Sequence, residues 1–447
     1  MCKEQLRLGD FRSVSEEQYS DEIPVGYKKT EIGLIPKDWE ITRLRDCLVR
    51  QPEYGINAPA VSYSETLPTY IRITDITDEG RFSSDNIASV AIDNYHKFLL
   101  TDGDIVFART GASVGKYYRY RSSDGALVFA GFLIRVHPDK SKLLPQFLEA
   151  YLGTTAYHNW VRLVSTRSGQ PGINGKEYSI LPIPVPSIAE QAPIAEIVSD
   201  VDNLIESLDN LISKKQAIKE ATMQQLLTGR TRLPGFKRKW NVETLGKFGS
   251  CLRGVSYDPT TDLFTNDMTN SVRLLRANNV QNGIVEKKEL QFVNKNIVRE
   301  DQFLRKNNIL LCMANGSRDL VGKAGFFDTE DGYAYSFGAF MGCFRCESKE
   351  VNPRFVFYLL NTKIFRDYIR ATLSGSSINN LKPIDIEGAE FSFPDHAEQN
   401  SIVLILFDID SELQALKHRR DKIKQIKQGM MQQLLTGRIR LLDKEAV

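Results

Sequence analysis

The chain has 447 residues, enough for two or three domains with cores of their own. Its 58 Lys+Arg against 56 Asp+Glu leave a formal net charge of +2, so a nucleic-acid footprint has to be local. With 42% hydrophobic and 26% charged residues, no run of ~18 apolar residues and a polar start (MCKEQLRLGDFR), the expectation is a cytoplasmic globular protein without a signal peptide or membrane span. In chain order the predicted elements are a polar N-terminal extension (1–29), a globular domain (30–185), a long helix (186–230), a second globular domain (231–393), a second long helix (394–437) and a short tail (438–447).

The helices are predicted from a duplication. MQQLLTGR stands at Met223–Arg230 and again at Met431–Arg438, an offset of 208 (431 − 223). That register holds without a gap from Pro186 to Leu233, where 22 of 48 positions are identical, among them Glu190-Gln191 with Glu398-Gln399 and Asp202 with Asp410. Within the first copy Ile197, Val201, Leu204, Leu208, Leu211, Lys215, Ile218 and Thr222 are spaced alternately by four and three, the narrow seam of a helix paired with another long helix. The second copy gives Ile402, Ile405, Ile409, Leu413, Leu416, Ile423, Ile426 and Met430. Gly229 and Gly437 suit a left-handed helix stop. Two matched seams in one chain predict that the helices pair with each other, antiparallel about a two-fold axis.

The globular blocks match faintly. Trp39-Glu-Ile-Thr-Arg-Leu44 aligns with Trp240-Asn-Val-Glu-Thr-Leu245, and Arg72-Ile-Thr-Asp-Ile76 with Arg273-Leu-Leu-Arg-Ala-Asn278. Asp102-Gly-Asp-Ile105 aligns with Lys306-Asn-Asn-Ile309, and Gly115-Lys116 with Gly322-Lys323. Ser168-Gly169 with Ile173-Asn174 aligns with Ser374-Gly375 and Ile378-Asn379. Two blocks that drifted apart on a retained frame suggest one kind of task with two different targets.

No catalytic motif is complete in this sequence. Gly111-Ala-Ser-Val-Gly115-Lys116 has three residues between its glycines where a P-loop needs four, and Tyr117 stands where Ser or Thr would hold Mg²⁺. No Asn/Asp-Pro-Pro-Tyr/Phe segment grips a flipped base, no Gly-rich cofactor loop stands out, no acidic cluster suggests a nuclease, and no His near Ser or Cys makes a triad. The single CxxC, Cys343 and Cys346, has no second pair, so neither metal nor cofactor is expected on this chain.

Read as binding loops, the same segments are more informative. Arg109–Arg121 holds Arg109, Lys116, Arg119 and Arg121 with no acid, Thr110 and Ser113 as short donors, Tyr118 as a hydrogen-bonding aromatic, and glycines that let backbone approach phosphate. The loop Ser165–Gly175 offers Arg167, Gln170 and Asn174, side chains that pair with guanine (Arg) or adenine (Gln, Asn) in the major groove. The second block offers Asn315, Ser317, Arg318 and Lys323, then Ser376, Ser377 and Asn379. Arg72 and Asn278, from the aligned strand ends, complete the candidate DNA-binding set. Plain solvated turns are the competing reading of these loops, and a solvated helix face is the competing reading of the basic stretch Lys417–Lys424.

The order Gly33-Leu-Ile-Pro36-Lys-Asp-Trp39, Pro182-Ile-Pro-Val-Pro186 running into Glu190-Gln191, the tandem QQLLTGR ends, and Leu233-Pro-Gly-Phe236 before Trp240 resembles the specificity subunit of type I restriction–modification systems, over nearly the whole chain after about Tyr27. The resemblance implies an α+β chain: two globular target-recognition domains separated by two long antiparallel, coiled-coil-like helices in a pseudo-two-fold repeat. It implies a non-catalytic subunit that reads a bipartite site in double-stranded DNA and docks two methyltransferase subunits and a restriction (motor-nuclease) subunit. S-adenosylmethionine would then sit on the methyltransferase partner. A protein-interaction scaffold without DNA binding is the alternative, and an independent modification enzyme a third class.

Overall fold

The computed structural model describes residues 23–166, 169–374 and 379–441. Its α-helices are α1 (Pro145–Leu152), α2 (Thr155–Val164), α3 (Gly175–Ser179), α4 (Ile188–Leu226), α5 (Pro353–Leu359), α6 (Lys363–Leu373), α7 (Pro383–Glu387) and α8 (His396–Leu434). The chain divides into two compact units, 1–210 with 417–447 and 211–416, so each owns part of both long helices. No helix among the described residues is long and apolar enough to cross a membrane.

In the first unit, Ile105–Ala108 is one of two inner strands of an antiparallel sheet ordered Glu53–Tyr54, Leu133–Val136, Ile105–Ala108, Tyr117–Arg119. All four residues of Ile-Val-Phe-Ala are buried, because both faces of the strand are covered. Ile105 and Phe107 pack in the cluster that holds α1 and α2, whereas Val106 and Ala108 pack in a second cluster with Ile71, Leu127 and Phe129. A second sheet is built around a parallel pair, Thr69–Ile71 with Leu127–Phe129.

The second unit repeats this plan. Asn308–Cys312 is buried throughout; Ile309 and Leu311 face the helix-side cluster, Leu310 and Cys312 the cluster with Leu275, Phe327 and Phe337. Ser271–Leu275 pairs in parallel with Tyr335–Phe337. Cys343 and Cys346 lie three apart on the strand Met341–Cys346 and so leave it on opposite faces, toward different clusters. Burial pushes both thiols up to about 12, and no group of metal-ligating side chains occurs among the described residues.

α4 and α8 each run 39 residues and pair antiparallel inside each unit. In the first unit Lys427 Nζ meets Asp202 Oδ1 at 2.7 Å and Arg420 Nη1 meets Asp209 Oδ1 at 3.1 Å. In the second, Lys215 Nζ meets Glu412 Oε2 at 2.7 Å and Lys219 Nζ meets Asp410 Oδ1 at 2.5 Å. The seam differs from the predicted one at three positions. Ile197, Val201, Leu208, Lys215 and Thr222 face inward as expected, but Ile205, Ile212 and Lys219 replace Leu204, Leu211 and Ile218 as their alternates. Leu204, Leu211 and Ile218 are left exposed. Adjacent apolar pairs such as Leu204-Ile205 and Leu211-Ile212 fit either seam, and only the partner helix selects one.

The repeated TGR ends close each unit by the same device. Gly229 (φ +68°) and Gly437 (φ +66°) turn the chain out of α4 and α8. Two residues after each TGR glycine-arginine pair comes a second arginine, Arg232 or Arg440. In the second unit Arg232 donates to Glu398 through Nε (2.7 Å) and Nη2 (2.7 Å), and Trp240 Nε1 donates to the same carboxylate at 3.1 Å. In the first unit Arg440 donates to Glu190 through Nε and through Nη2 (2.9 Å), and Trp39 Nε1 donates to Glu190 at 3.0 Å. Both glutamates are 1% exposed. The adjacent glutamines are equally structural: Gln191 accepts from Leu144 N and donates to Lys142 O and Pro186 O, while Gln399 accepts from Asn352 N and donates to Glu350 O and Pro394 O.

Candidate nucleic-acid interface

Two loops that lie far apart in sequence are joined in each unit. In the first, the loop after Ile105–Ala108 bridges the segment before α3: Thr110 pairs with Gly172, Gly111 N donates to Pro171 O at 3.0 Å, and Ile173 N donates to Arg109 O at 2.9 Å. In the second, Ala314 pairs with Asn380, Asn315 N donates to Asn379 O at 3.3 Å, and Leu381 N donates to Met313 O at 2.8 Å. A third segment completes each site. Gly55 and Gly254 lie against the carbonyls of residues 129–130 and 337–338, so close that a Cβ on either would sit within 2.3 Å of an oxygen. This places Tyr54 and Arg253 at equivalent positions. Tyr54 Oη accepts from Gly175 N at 3.0 Å. Arg253 reaches the second loop instead, donating to Asn380 Oδ1 at 2.5 Å and to Leu381 O.

The candidate residues divide by what already holds them. Tyr118 and Arg119 are held inside the unit. They lie on the returning strand Tyr117–Arg119, both buried; Tyr118 Oη donates to Asp124 at 2.6 Å and Arg119 Nε to Glu149 Oε2 at 2.6 Å. Glu149 also accepts from Arg121 Nη2 at 3.2 Å, so one carboxylate on α1 holds both arginines. Arg72 is committed to Asp75 by a bidentate pair (2.9 and 2.8 Å) and to Asn86 O at 2.7 Å. Asn174 caps α3, accepting from Glu177 N at 3.0 Å.

Lys116 pairs with Asp78 at 2.6 Å, and that ammonium holds the Asp78 carboxyl below the usual carboxylate range. The carboxylate is exposed, so exchanging it for a phosphate costs little. Arg109 has no ion-pair partner among the described residues; its guanidinium lies over the Tyr54 ring, 5.1 Å from the centroid. Gln170 is exposed, with Nε2 2.9 Å from where a Cβ on Gly111 would stand. Thr110 and Ser113 are half-buried in the same loop.

In the second unit Arg318 and Ser317 are exposed, and Arg318 Nη2 donates to Arg370 O at 3.1 Å. Asn315 accepts from Ser317 N at 2.9 Å, and Asn379 Nδ2 donates to Gly316 O at 3.3 Å. Lys323 donates to Gln281 Oε1 at 2.8 Å, and burial moves its pKa downward. Asn278 is exposed, its carbonyl accepting from Gln281. Arg167, Ser376 and Ser377 lie outside the described residues, as do residues 1–22 of the extension.

Geometry also re-registers two alignments. Arg72 N donates to Asp75 Oδ2 after the strand Thr69–Ile71, and Arg276 N donates to Asn279 Oδ1 after Ser271–Leu275, each at 2.9 Å. Arg276, not Arg273, is therefore the counterpart of Arg72. Likewise Lys382, which precedes α7, is the counterpart of Asn174 before α3, rather than Asn379.

Gly115 and Gly322 serve packing rather than phosphate approach. Both have positive φ (+86° and +80°), and a Cβ would stand 2.6 Å from Val161 Cγ1 on α2 or 3.0 Å from Ile369 Cγ1 on α6. Gly115→Ala is expected to cost about 1–3 kcal/mol of stability, and Gly322→Ala less. Chemical denaturation measures this; a Gly115→Ala protein as stable as the parent would mean that the loop is not pinned on α2.

Tyr54, Arg253, Phe132 and Phe340 were not singled out from the sequence. The last two had a signal: Phe129 and Phe132 recur as Phe337 and Phe340 at the same 208-residue offset as the helices.

A family profile described as "Type I restriction modification DNA specificity domain" matches residues 36–217 and again 238–427. The type I restriction enzyme MjaVIII specificity subunit of Methanocaldococcus jannaschii is 22% identical over 422 residues, 91% of this chain and 94% of that one. The EcoKI specificity subunit of Escherichia coli is 30% identical over 202 residues, 45% of this chain and 42% of its own length. The crystal structure of the type I restriction–modification S subunit from M. genitalium superposes with a TM-score of 0.58 at 15% identity, covering 89% of this chain and 96% of that one, a likeness of fold.

Proposed function

Because the chain belongs to the family of type I restriction–modification DNA specificity subunits, we propose that its two joined-loop surfaces each read one half of a bipartite DNA site. As a specificity subunit the chain is non-catalytic and serves DNA recognition. The observation that carries the bipartite reading is the repetition itself: the same loops meet in both units while the side chains they present differ, Arg109 and Gln170 in one, Arg318 and Asn315 in the other. One surface discriminates a few base pairs at ~1–3 kcal/mol each, and two linked surfaces multiply that selectivity.

The partners we propose are two methyltransferase subunits, which bring S-adenosylmethionine, and a restriction subunit. Leu204, Leu211 and Ile218 support docking on the helices. They recur every seven residues in the sequence of α4 and are exposed, so the pairing with α8 does not use them in either unit.

The Arg109 guanidinium lies over the Tyr54 ring with no ion-pair partner among the described residues, which leaves its donors for bidentate pairing with guanine. Arg109→Ala should therefore relax one position of one half-site, at about 1–3 kcal/mol of discrimination. Lys116→Ala should weaken binding to all duplexes alike and lower the salt slope by about one. Both should fold normally, since surface substitutions of this kind cost under ~0.5 kcal/mol. Methylation-sensitive sequencing in cells carrying each variant with its methyltransferase gives the motif, and salt-titrated duplex binding by the assembled complex gives the slope. An unchanged motif and affinity in both variants would move the reading surface elsewhere. Absence of any sequence preference in the parent complex would favour a scaffold.

A further inference from the structure

Phe132 and Phe340 stand at one backbone position of the repeat. Each is the third residue of a turn closed by the same hydrogen bond, Leu133 N to Ala130 O and Met341 N to Gly338 O, both 2.8 Å. Each turn is bridged in parallel to the segment after the tight glycine, Ile56 with Ala130 and Val255 with Gly338. Each phenylalanine carbonyl then accepts from the start of the reading loop: Arg109 N at 3.1 Å in the first unit, Met313 N at 2.8 Å and Ala314 N at 3.1 Å in the second. Three residues earlier, Phe129 and Phe337 are fully buried, whereas Phe132 and Phe340 are 55% and 70% exposed.

A single exposed apolar side chain is ordinary. Two at the same position, in domains whose surrounding residues have diverged, are not explained by the core: neither ring belongs to an apolar cluster of its unit. The backbone fixes each ring beside the reading loop, next to Arg109 or Ala314. An exposed aromatic face on the backbone of a reading loop matches a nucleotide base, whose π-face stacks whatever the sequence.

We infer that Phe132 and Phe340 are paired stacking contacts, each laying its ring against or between bases of the half-site its unit reads. The inference rests on the DNA-reading surfaces proposed above. The two rings supply affinity that is insensitive to both salt and sequence, while Arg109 and Gln170 in one unit and Arg318 and Asn315 in the other supply the choice of base. Such wedges act by partial unstacking, which any base step permits at some cost.

The test uses the full-length chain assembled with its methyltransferase, on a duplex carrying the methylated motif. Phe132→Ala and Phe340→Ala should each weaken binding about tenfold or more, leave the slope of log affinity against log salt unchanged, and leave assembly with the methyltransferase intact by size-exclusion chromatography. Phe132→Trp and Phe340→Trp should restore binding. Affinity within twofold of the parent for both alanine variants would overturn the inference. So would a salt slope reduced by one, or loss of assembly, which would make the rings protein contacts. If the parent complex prefers no sequence, the specific-site reading falls, and the alanine variants on any duplex still decide whether the rings stack.

Discussion

Glu398→Ala is expected to destabilise the second unit by about 2–4 kcal/mol. The carboxylate is 1% exposed and accepts from both Arg232 and Trp240. Its removal strands an arginine in a partly desolvated position and leaves the indole N–H without its acceptor. Removing one partner of a fully buried pair costs about 3–5 kcal/mol; Arg232 keeps some access to water, which lowers the figure. Trp240→Phe loses one hydrogen bond and should cost only about 1 kcal/mol. Glu190→Ala should act the same way in the first unit, where Trp39 and Arg440 share that carboxylate and Arg440 also binds Asp38 (3.1 and 2.7 Å). Arg440 also draws the Asp38 carboxyl below its usual range. Asp38 therefore contributes stability above the unfolded carboxylate pKa, and that contribution fades as pH falls through its lowered folded value. Hydrogen exchange localises the damage. Arg440→Ala should loosen the first unit, although Arg440 lies 250 residues from Glu190, and Arg232→Ala the second. Normal protection in Glu398→Ala, or Arg440→Ala loosening the second unit instead, would show that these clusters do not close the units as described.

Exchanging residues 30–185 for the corresponding block of a relative should replace one half of the methylated motif and leave the other half untouched. The reason is that each unit's loop pair is held by contacts internal to that unit: Thr110 with Gly172, Ala314 with Asn380, and the glycine approaches at Gly55 and Gly254. The effect should be large, because each replaced base pair alters preference by ~1–3 kcal/mol and several change at once. Sequencing of methylated DNA reads the result directly. A change in both halves would mean that the two surfaces are coupled.

The α+β class, the two repeated domains and the two long paired helices were legible because their signals are local or repeated. The 208-residue register marks the helices, and the aligned segments 102–105 and 306–309 mark where equivalent apolar strands begin. The loop segments after these strands were legible as polar, Gly-rich punctuation. Their partnership was not: Thr110 meets Gly172 across 62 residues and Ala314 meets Asn380 across 66, and no spacing rule links such positions.

The sequence by itself determined that one frame is used twice and which residue types lie on its loops. Tertiary structure decided which of those residues are available. Arg109 and Arg119 are both arginines ten apart in one basic segment, yet Glu149 reaches Arg119 from α1 and buries it, while Arg109 lies on Tyr54 without a carboxylate among the described residues. Leu204 and Ile205 are neighbours of nearly equal hydrophobicity, yet α8 covers one and leaves the other in solvent. Phe129 and Phe132 are the same side chain three residues apart, one in the core and one beside the reading loop. In each pair the side chains offer almost the same chemistry. The difference comes from the field and the packing of groups distant in sequence, which act only once the chain has brought them together.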